Sequence, residues 1–542
     1  MAELNTEHMV EEIQANIQTG DALKARLVLD HLGEVDKKTQ NRLLYELSRG
    51  DMTFTVPLLN YLLTAHPELT AGLPIIRETL ISNLIAYPHV LLQSLANPDI
   101  ADKTVMIETA GELKFEEATT VLIDLLAHTK DNAFIKLIID NLGLIGDPES
   151  INTLTDYLYA ADRELITSAI HALGQVGTNT AMHRLAERMG TDNELDLIIL
   201  GIFADVQDQV SLEKLNDTLR SHHAHMRIYA KDELVRIGIK AVPVLIENLK
   251  EGDSDLLVHT LNVLGEIGDE SAIMPIRALL NTMPRNANVR FAAYEALALL
   301  PLRKGAYTLA AGLTDSEDHV CTAAARAIDR NFNEILAAGI KNMIRAQNDE
   351  ARHIVKIIVN AQVDNVFLNL APEDYFQELA LVYLPHAHRD IKNHYIGLLQ
   401  QKGLEDFAAR ISGEELDGKT RVKVCAVDDS RMILNIYKAT LHELGFDPVL
   451  FEFPAGALEW LAKEKPAMVL TDLNMPEISG IELTKRIRAI YSAETLPVIM
   501  VTTQSDVQDH EAAAAAGVNT LLIKPFNAES LRTAMGKFIK VN

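Results

Sequence analysis

A nine-residue helical pattern recurs along this chain at a nearly constant step, and it constrains the fold more than any other feature. The segments ATTVLIDLL, SINTLTDYL, AMHRLAERM, SLEKLNDTL, AVPVLIENL, AIMPIRALL, GAYTLAAGL and FNEILAAGI align without gaps. Their fifth positions are Leu122, Leu154, Leu185, Leu215, Leu245, Ile276, Leu309 and Leu336, and their ninth positions run from Leu126 to Ile340, all apolar. Residues four apart share one helical face, so each segment is a one-sided helix. A second helical run follows each. Those runs end at Leu142, Leu173, Phe203, Leu234, Leu264, Leu297, Ile328 and Val359, with spacings of 31, 30, 31, 30, 33, 31 and 31 residues.

Several second runs close on a stop signal. Gly146, Gly177, Gly238 and Gly268 stand where a helix C-terminus needs a left-handed residue, and Asp147, Thr178 and Asp269 follow where a turn leads into the next helix. Pro243 and Pro275 fall in first turns, where a missing N–H costs nothing. A lone helix pair cannot bury both apolar faces, whereas stacked pairs share a continuous core, so the pattern predicts an all-α solenoid. An aromatic content of 5% against 48% hydrophobics fits helix-on-helix packing.

The apolar-Gly-x-apolar-Gly turn, together with the Met226-Arg227 and Val289-Arg290 pairs early in second helices, resembles short bacterial HEAT repeats. The clear repeats span 118–365, and residues 1–117 and 366–410 read as degenerate repeats or caps. The resemblance implies a protein-binding scaffold. Two histidine clusters, His222-His223-His225 and His386-His388, lack regular ligand spacing and read as solvated loops between helices.

The periodicity changes after a short polar stretch, ISGEELDGKT, which reads as a linker over 411–420. Charge changes there too. Residues 421–542 hold 13 Lys+Arg and 15 Asp+Glu, whereas the first 420 residues hold 37 and 61. From Val422 onward short apolar runs alternate with helical patterns five times. Such alternation predicts a doubly wound α/β module over 421–542, a five-stranded parallel sheet covered on both faces. Functional groups in these sheets gather at the carboxyl ends of the strands. The predicted ends carry Asp428 and Asp429, then Asp472, Thr502 and Lys524. Three converging carboxylates repel one another, and a hard divalent cation such as Mg2+ relieves that repulsion. One carboxylate can then act as nucleophile towards a phosphoryl group, with Lys524 and Thr502 contacting its oxygens.

The motifs VDDS, TDLNMPEISG, VTT and KPF, spread over about 120 residues, resemble the flavodoxin-like receiver domain of two-component response regulators. The resemblance implies Asp472 as phospho-acceptor, Asp429 and Asp472 as direct magnesium ligands with the Asn474 carbonyl, and Asp428 acting through water. It implies Thr502 as switch hydroxyl, Lys524 as phosphate-pairing lysine, Pro476 and Gly480 as shapers of the loop after the acceptor, and a cis Lys524–Pro525 bond. Leu521 stands where the family often has an aromatic residue, and Thr503 where it usually has a small one. The expected readout therefore runs through the loop at Thr503 and the face of the fourth and fifth strand–helix units, which carries Ala512–Ala516.

The chain is thus expected to be a cytoplasmic, bacterial-type response regulator. A histidine kinase would phosphorylate Asp472, the solenoid would bind a protein partner, and no external substrate would be turned over. Two rivals remain at this point: a solenoid resembling phycobilin lyases, or one resembling base-excision DNA glycosylases, regulated by the receiver. A net charge of -26 and one tryptophan in 542 residues argue against a nucleic-acid partner. Two cysteines, Cys321 and Cys425, suit a reducing compartment, and neither a signal peptide nor a membrane span is visible.

Overall fold

The computed structural model describes residues 6–302, 307–412, 422–502, 507–524, 526 and 528–539. The chain forms two compact units, 1–214 and 215–542. Among the described residues no helix is long and apolar enough to cross a membrane.

The first unit is built of helix pairs. Leu122, Leu154 and Leu185, the periodic positions of the first helices, are fully buried, as are Leu142, Leu173 and Phe203 at the ends of the second. The sequence signals act as local switches. Asp131 accepts a hydrogen bond from the Ala133 N–H and starts helix Asn132–Ile145, and Gly146 ends it at φ 79°. Asp147 and Thr178 cap the elements that follow Gly146 and Gly177. Residues 6–117 are helical as well, from Thr6–Thr19 to Thr104–Glu112.

The second unit opens with the same construction. Leu215, Leu245, Ile276, Leu309 and Leu336 are buried. Gly268 ends helix Ser254–Ile267 in the left-handed region. Gly238 departs from the expected geometry: its φ is 71° but its ψ is -132°, and it opens a 3-10 turn. A glycine is still required there, because an L side chain is strained at that φ. The buried Arg290 guanidinium forms a two-pronged pair with Asp315, at 2.7 and 2.8 Å, and donates to the Pro284 carbonyl at 2.6 Å. It thereby ties its own repeat to the next. The last solenoid helix is Glu405–Ser412. Residues 411 and 412 therefore belong to that helix and not to the expected linker, because Ile411 is fully buried in its packing.

The remainder of the second unit is a sheet of β1 (Lys423–Val427), β2 (Asp447–Phe451), β3 (Met468–Asp472), β4 (Val498–Thr502) and β5 (Thr520–Ile523). All neighbours are parallel, in the order β2-β1-β3-β4-β5. The three central strands are buried on both faces, as their unbroken apolar runs require. Cys425, Val427, Val469 and Val498 pack against Ala457, Leu461, Leu483 and Ile487 of two covering helices. The point where strand order reverses lies between β1 and β3, so the carboxyl ends of those two strands border a crevice.

Candidate functional site

Parallel register brings the predicted side chains to one edge. Val427 pairs with Thr471, and Asp472 with Val501, so β1, β3 and β4 end nearly level. Asp428 follows β1 and its N–H still bonds the Phe451 carbonyl at 3.2 Å. Lys524 follows β5 and its N–H bonds the Thr502 carbonyl at 2.8 Å. Both residues are thus fixed by the ladder although they lie just past their strands.

The Lys524 ammonium donates to Asp428 Oδ2 and to Asp472 Oδ1, each at 2.7 Å. The Asp428 side chain is 1% exposed and that of Lys524 8%. Burial drives the Asp428 carboxyl well above the ordinary range, Lys524 offsets part of this, and the charge of Asp472 adds to it. Burial works against the Lys524 ammonium, but the two carboxylates outweigh it and hold its pKa above the usual value. Asp429 is raised by burial first and by Asp472 second. Asp472 Oδ2 accepts the Asn474 N–H at 3.1 Å. Thr502, at the end of β4, is buried beside them.

The loop after Asp472 is held rigidly. Leu473 packs with Met500 and Ala513, and Met475 packs in the cluster formed by Val469 and Val498. The Gly480 N–H bonds the Leu473 carbonyl at 2.9 Å. A Cβ on Gly480 would stand 2.0 Å from the Asp472 carbonyl oxygen, so only glycine permits this approach. Leu521 packs against the cluster of Leu473, Met500 and Ala513. Thr503 and Pro525, and with the latter the expected cis bond, lie outside the described residues.

The surroundings of three residues went unread in the sequence. Tyr437 is fully buried, stacks on Phe526 with centroids 5.0 Å apart, and leaves its hydroxyl without a hydrogen-bond partner. Burial, then the charges of Asp428 and Asp472, raise its pKa. Its apolar neighbours in the helical pattern hide it as an ordinary core position. Arg227, of solenoid helix Ala224–Ile237, donates to the Ser221 carbonyl at 2.6 Å; burial lowers its pKa, and the charges of Asp429, Asp255 and Asp472 oppose that shift. Finally, the expected solvated loop at His386-His388 is only half right. His386 is exposed, but His388 is 6% exposed and stacks on His442 of the sheet domain at 4.0 Å. A residue distant in sequence covers it. His222, His223 and His225 are exposed, as expected.

A doubly wound sheet of this strand order, with two acids after β1, an acid ending β3 and a lysine after β5, defines a phospho-accepting module. The sequence profile of the response regulator receiver domain matches residues 424–536, and that of HEAT repeats matches residues 88–174 and 242–329. The chemotaxis protein CheY homolog of Campylobacter jejuni is 43% identical over 114 residues, covering 20% of this chain and 87% of that protein. CheY1 of Helicobacter pylori is 35% identical over 124 residues, 22% of this chain and 99% of that protein. The receiver domain of a sensor histidine kinase from Pseudomonas aeruginosa, solved with magnesium in its active site cleft, is 24% identical, with 22% of this chain and 98% of that one covered and a TM-score of 0.21. The chain belongs to the response regulator receiver family through this domain, and HEAT repeats precede it.

Proposed function

We propose that this protein is a two-component response regulator in which Asp472 accepts a phosphoryl group from a histidine kinase and the HEAT-repeat region carries the output by binding a protein. The observation that carries this reading is the Lys524 ammonium held at 2.7 Å from both Asp428 and Asp472 at the ends of β1 and β3. Such a cation stands ready to pair with the oxygens of a phosphoryl group arriving at Asp472. In transfer, an Asp472 carboxylate oxygen forms a bond to phosphorus as the donor's P–N bond breaks, and the departing imidazole takes up a proton.

The donor set suits magnesium. One ammonium serves both Asp428 and Asp472, and the charge of Asp472 adds to burial in raising Asp428 and Asp429, so the acids outnumber the cation that faces them. Asp429, Asp472 and the Asn474 carbonyl would hold the ion, with Asp428 reaching it through water, and the bound ion would supply neutralisation of the phosphoryl oxygens. The scaffold role of the solenoid is supported by the match to HEAT repeats over residues 88–174 and 242–329. No external substrate is turned over on this reading.

The test is direct. With Mg2+ and acetyl phosphate, the full chain should gain one base-labile acyl phosphate, and Asp472→Asn should abolish it because an amide is not a competent nucleophile. Label mapped to another residue of the receiver would overturn the assignment.

A further inference from the structure

Among the described residues, one group of imidazoles and carboxylates is drawn tightly together, and it lies away from the acceptor site. His388 and Asp390 come from the start of solenoid helix Arg389–Gln401, while His442 and Asp447 come from the last turn of helix Arg431–Glu443 and the first residue of β2. One donor atom from each of the four lies within 4.8 Å of the other three. His388 Nε2 is 3.5 Å from Asp447 Oδ1, and His388 Nδ1 is 3.5 Å from Asp390 Oδ2. Both separations exceed the roughly 2.7–3.2 Å of a hydrogen bond to nitrogen. The Nε2–Asp447 separation matches instead the roughly 3.4 Å that separates neighbouring donors around a tetrahedral ion with bonds of about 2.0–2.1 Å.

We infer that His388, His442 and Asp447 form a transition-metal site of the zinc class that joins the solenoid to the receiver, with Asp390 orienting His388. Two imidazoles select zinc, cobalt or nickel over magnesium, which takes oxygen donors. The Asp390 carboxylate beyond Nδ1 is the outer partner that fixes the tautomer of a metal-bound imidazole. In the metal-free arrangement His388 Nδ1 accepts the Asp390 N–H at 3.2 Å. Ligation through Nε2 moves the ring proton to Nδ1, where it points at the carboxylate, with no net change in protons. The His388 and His442 rings lie 14° from parallel, so the His442 ring must tilt for both lone pairs to meet one ion. His442 is half-buried at a helix end, which leaves room for that tilt. The surrounding contact is already formed by a second pair: Lys356 of the solenoid bonds Glu443 at 2.9 Å, one residue from His442. The metal would therefore clamp an interface that exists without it.

Full-length protein, stripped with a chelator and equilibrated with excess Mg2+ to fill the receiver's acidic site, is titrated with zinc chloride by calorimetry. One equivalent should bind tightly enough to survive gel filtration. His442→Ala and Asp447→Asn should each weaken it at least about tenfold, while acetyl phosphate labelling of Asp472 persists. Cobalt(II) should give visible ligand-field bands that His442→Ala loses. Asp447 is partly exposed, so Asp447→Asn carries the test if His442→Ala fails to fold. Absence of zinc binding, or zinc affinity unchanged in the folded variants, overturns the inference and sends any bound zinc to another cluster such as His222–His225.

Discussion

At the scale of single residues, the most telling side chains are polar groups buried without partners. The Tyr437 hydroxyl is one: it is enclosed in the receiver, its ring stacked on Phe526, and makes no hydrogen bond. An unsatisfied buried hydroxyl costs about 1–3 kcal/mol, so Tyr437→Phe, which keeps the stack on Phe526, should stabilise the receiver by about 1 kcal/mol. The sole tryptophan, Trp460, packs on the receiver core, so its fluorescence in urea isolates this transition within the full chain. A lowered midpoint would mean that the hydroxyl is satisfied. His319 is a second case. Burial lowers its pKa to about 4, with Asp315 opposing and Arg290 adding to the shift, and its Nε2 has no partner. The unfolded chain protonates this residue near its ordinary pKa of about 6.5, before the folded chain does, so stability is fully present above that pH and falls towards pH 4. By pH 5 the loss amounts to about 2 kcal/mol. His319→Phe, which preserves the ring contact with Phe291 at 5.8 Å, should shrink the difference between urea midpoints at pH 7 and pH 5. An unchanged difference would assign the acid sensitivity to other groups, with His259, also lowered to about 4 by burial, the first to examine.

At the scale of elements, the loop from Leu473 to Ser479 determines where the acceptor points. Its closure depends on Gly480, whose missing side chain admits the Asp472 carbonyl. Gly480→Ala should shift that carbonyl, slow acyl phosphate formation at least about tenfold, which is 1.4 kcal/mol of barrier, and lower the Trp460 midpoint. Normal labelling kinetics in the variant would show that the loop tolerates the displacement. This loop also shows what sequence can and cannot disclose. The acids and the lysine were legible because each sits at a strand end, and parallel strand ends meet by topology alone. The periodic leucines were legible because a helical face is a local property. His388 was not, because its burial depends on His442 and Asp447, more than fifty residues away, and its own neighbours in LPHAHRD read as a polar turn. Tyr437 and Arg227 escaped for the same reason: their roles depend on partners that no local periodicity encodes. Gly238 shows the finer limit, since a glycine after a helix signals positive φ without fixing ψ.

At the scale of the molecule, the proposed phosphorylation of Asp472 has to reach the solenoid to produce an output. Readout through the fourth and fifth strand–helix units was the expectation from Leu521 and the alanine run. Among the described residues of the second unit, contacts between receiver and solenoid fall on another face. They involve Glu443, His442 and Asp447 of the receiver with Lys356 and His388 of the solenoid, while Ala512, Ala514 and Ala515 are exposed. Lys356 also lies 3.6 Å from Asp318, so one ammonium links two solenoid helices to the receiver. Arg227 is the solenoid residue to watch, because the charges of Asp429, Asp255 and Asp472 oppose the lowering of its pKa by burial. A phosphoryl group on Asp472 would add about one and a half to two negative charges to the set that acts on that arginine. The charge should draw Arg227 away from the Ser221 carbonyl and reorder the start of helix Ala224–Ile237. A coupling of about 1–3 kcal/mol is the typical scale for such a change between two sites. Hydrogen exchange on the full chain, with and without beryllofluoride as acyl phosphate mimic, should therefore show altered protection at the start of Ala224–Ile237 as well as in the receiver. Arg227→Ala should remove the solenoid change and leave the receiver change intact, and Asp472→Asn should remove both. Changes confined to the receiver in the wild-type chain would mean that the solenoid does not read the phosphate through Arg227.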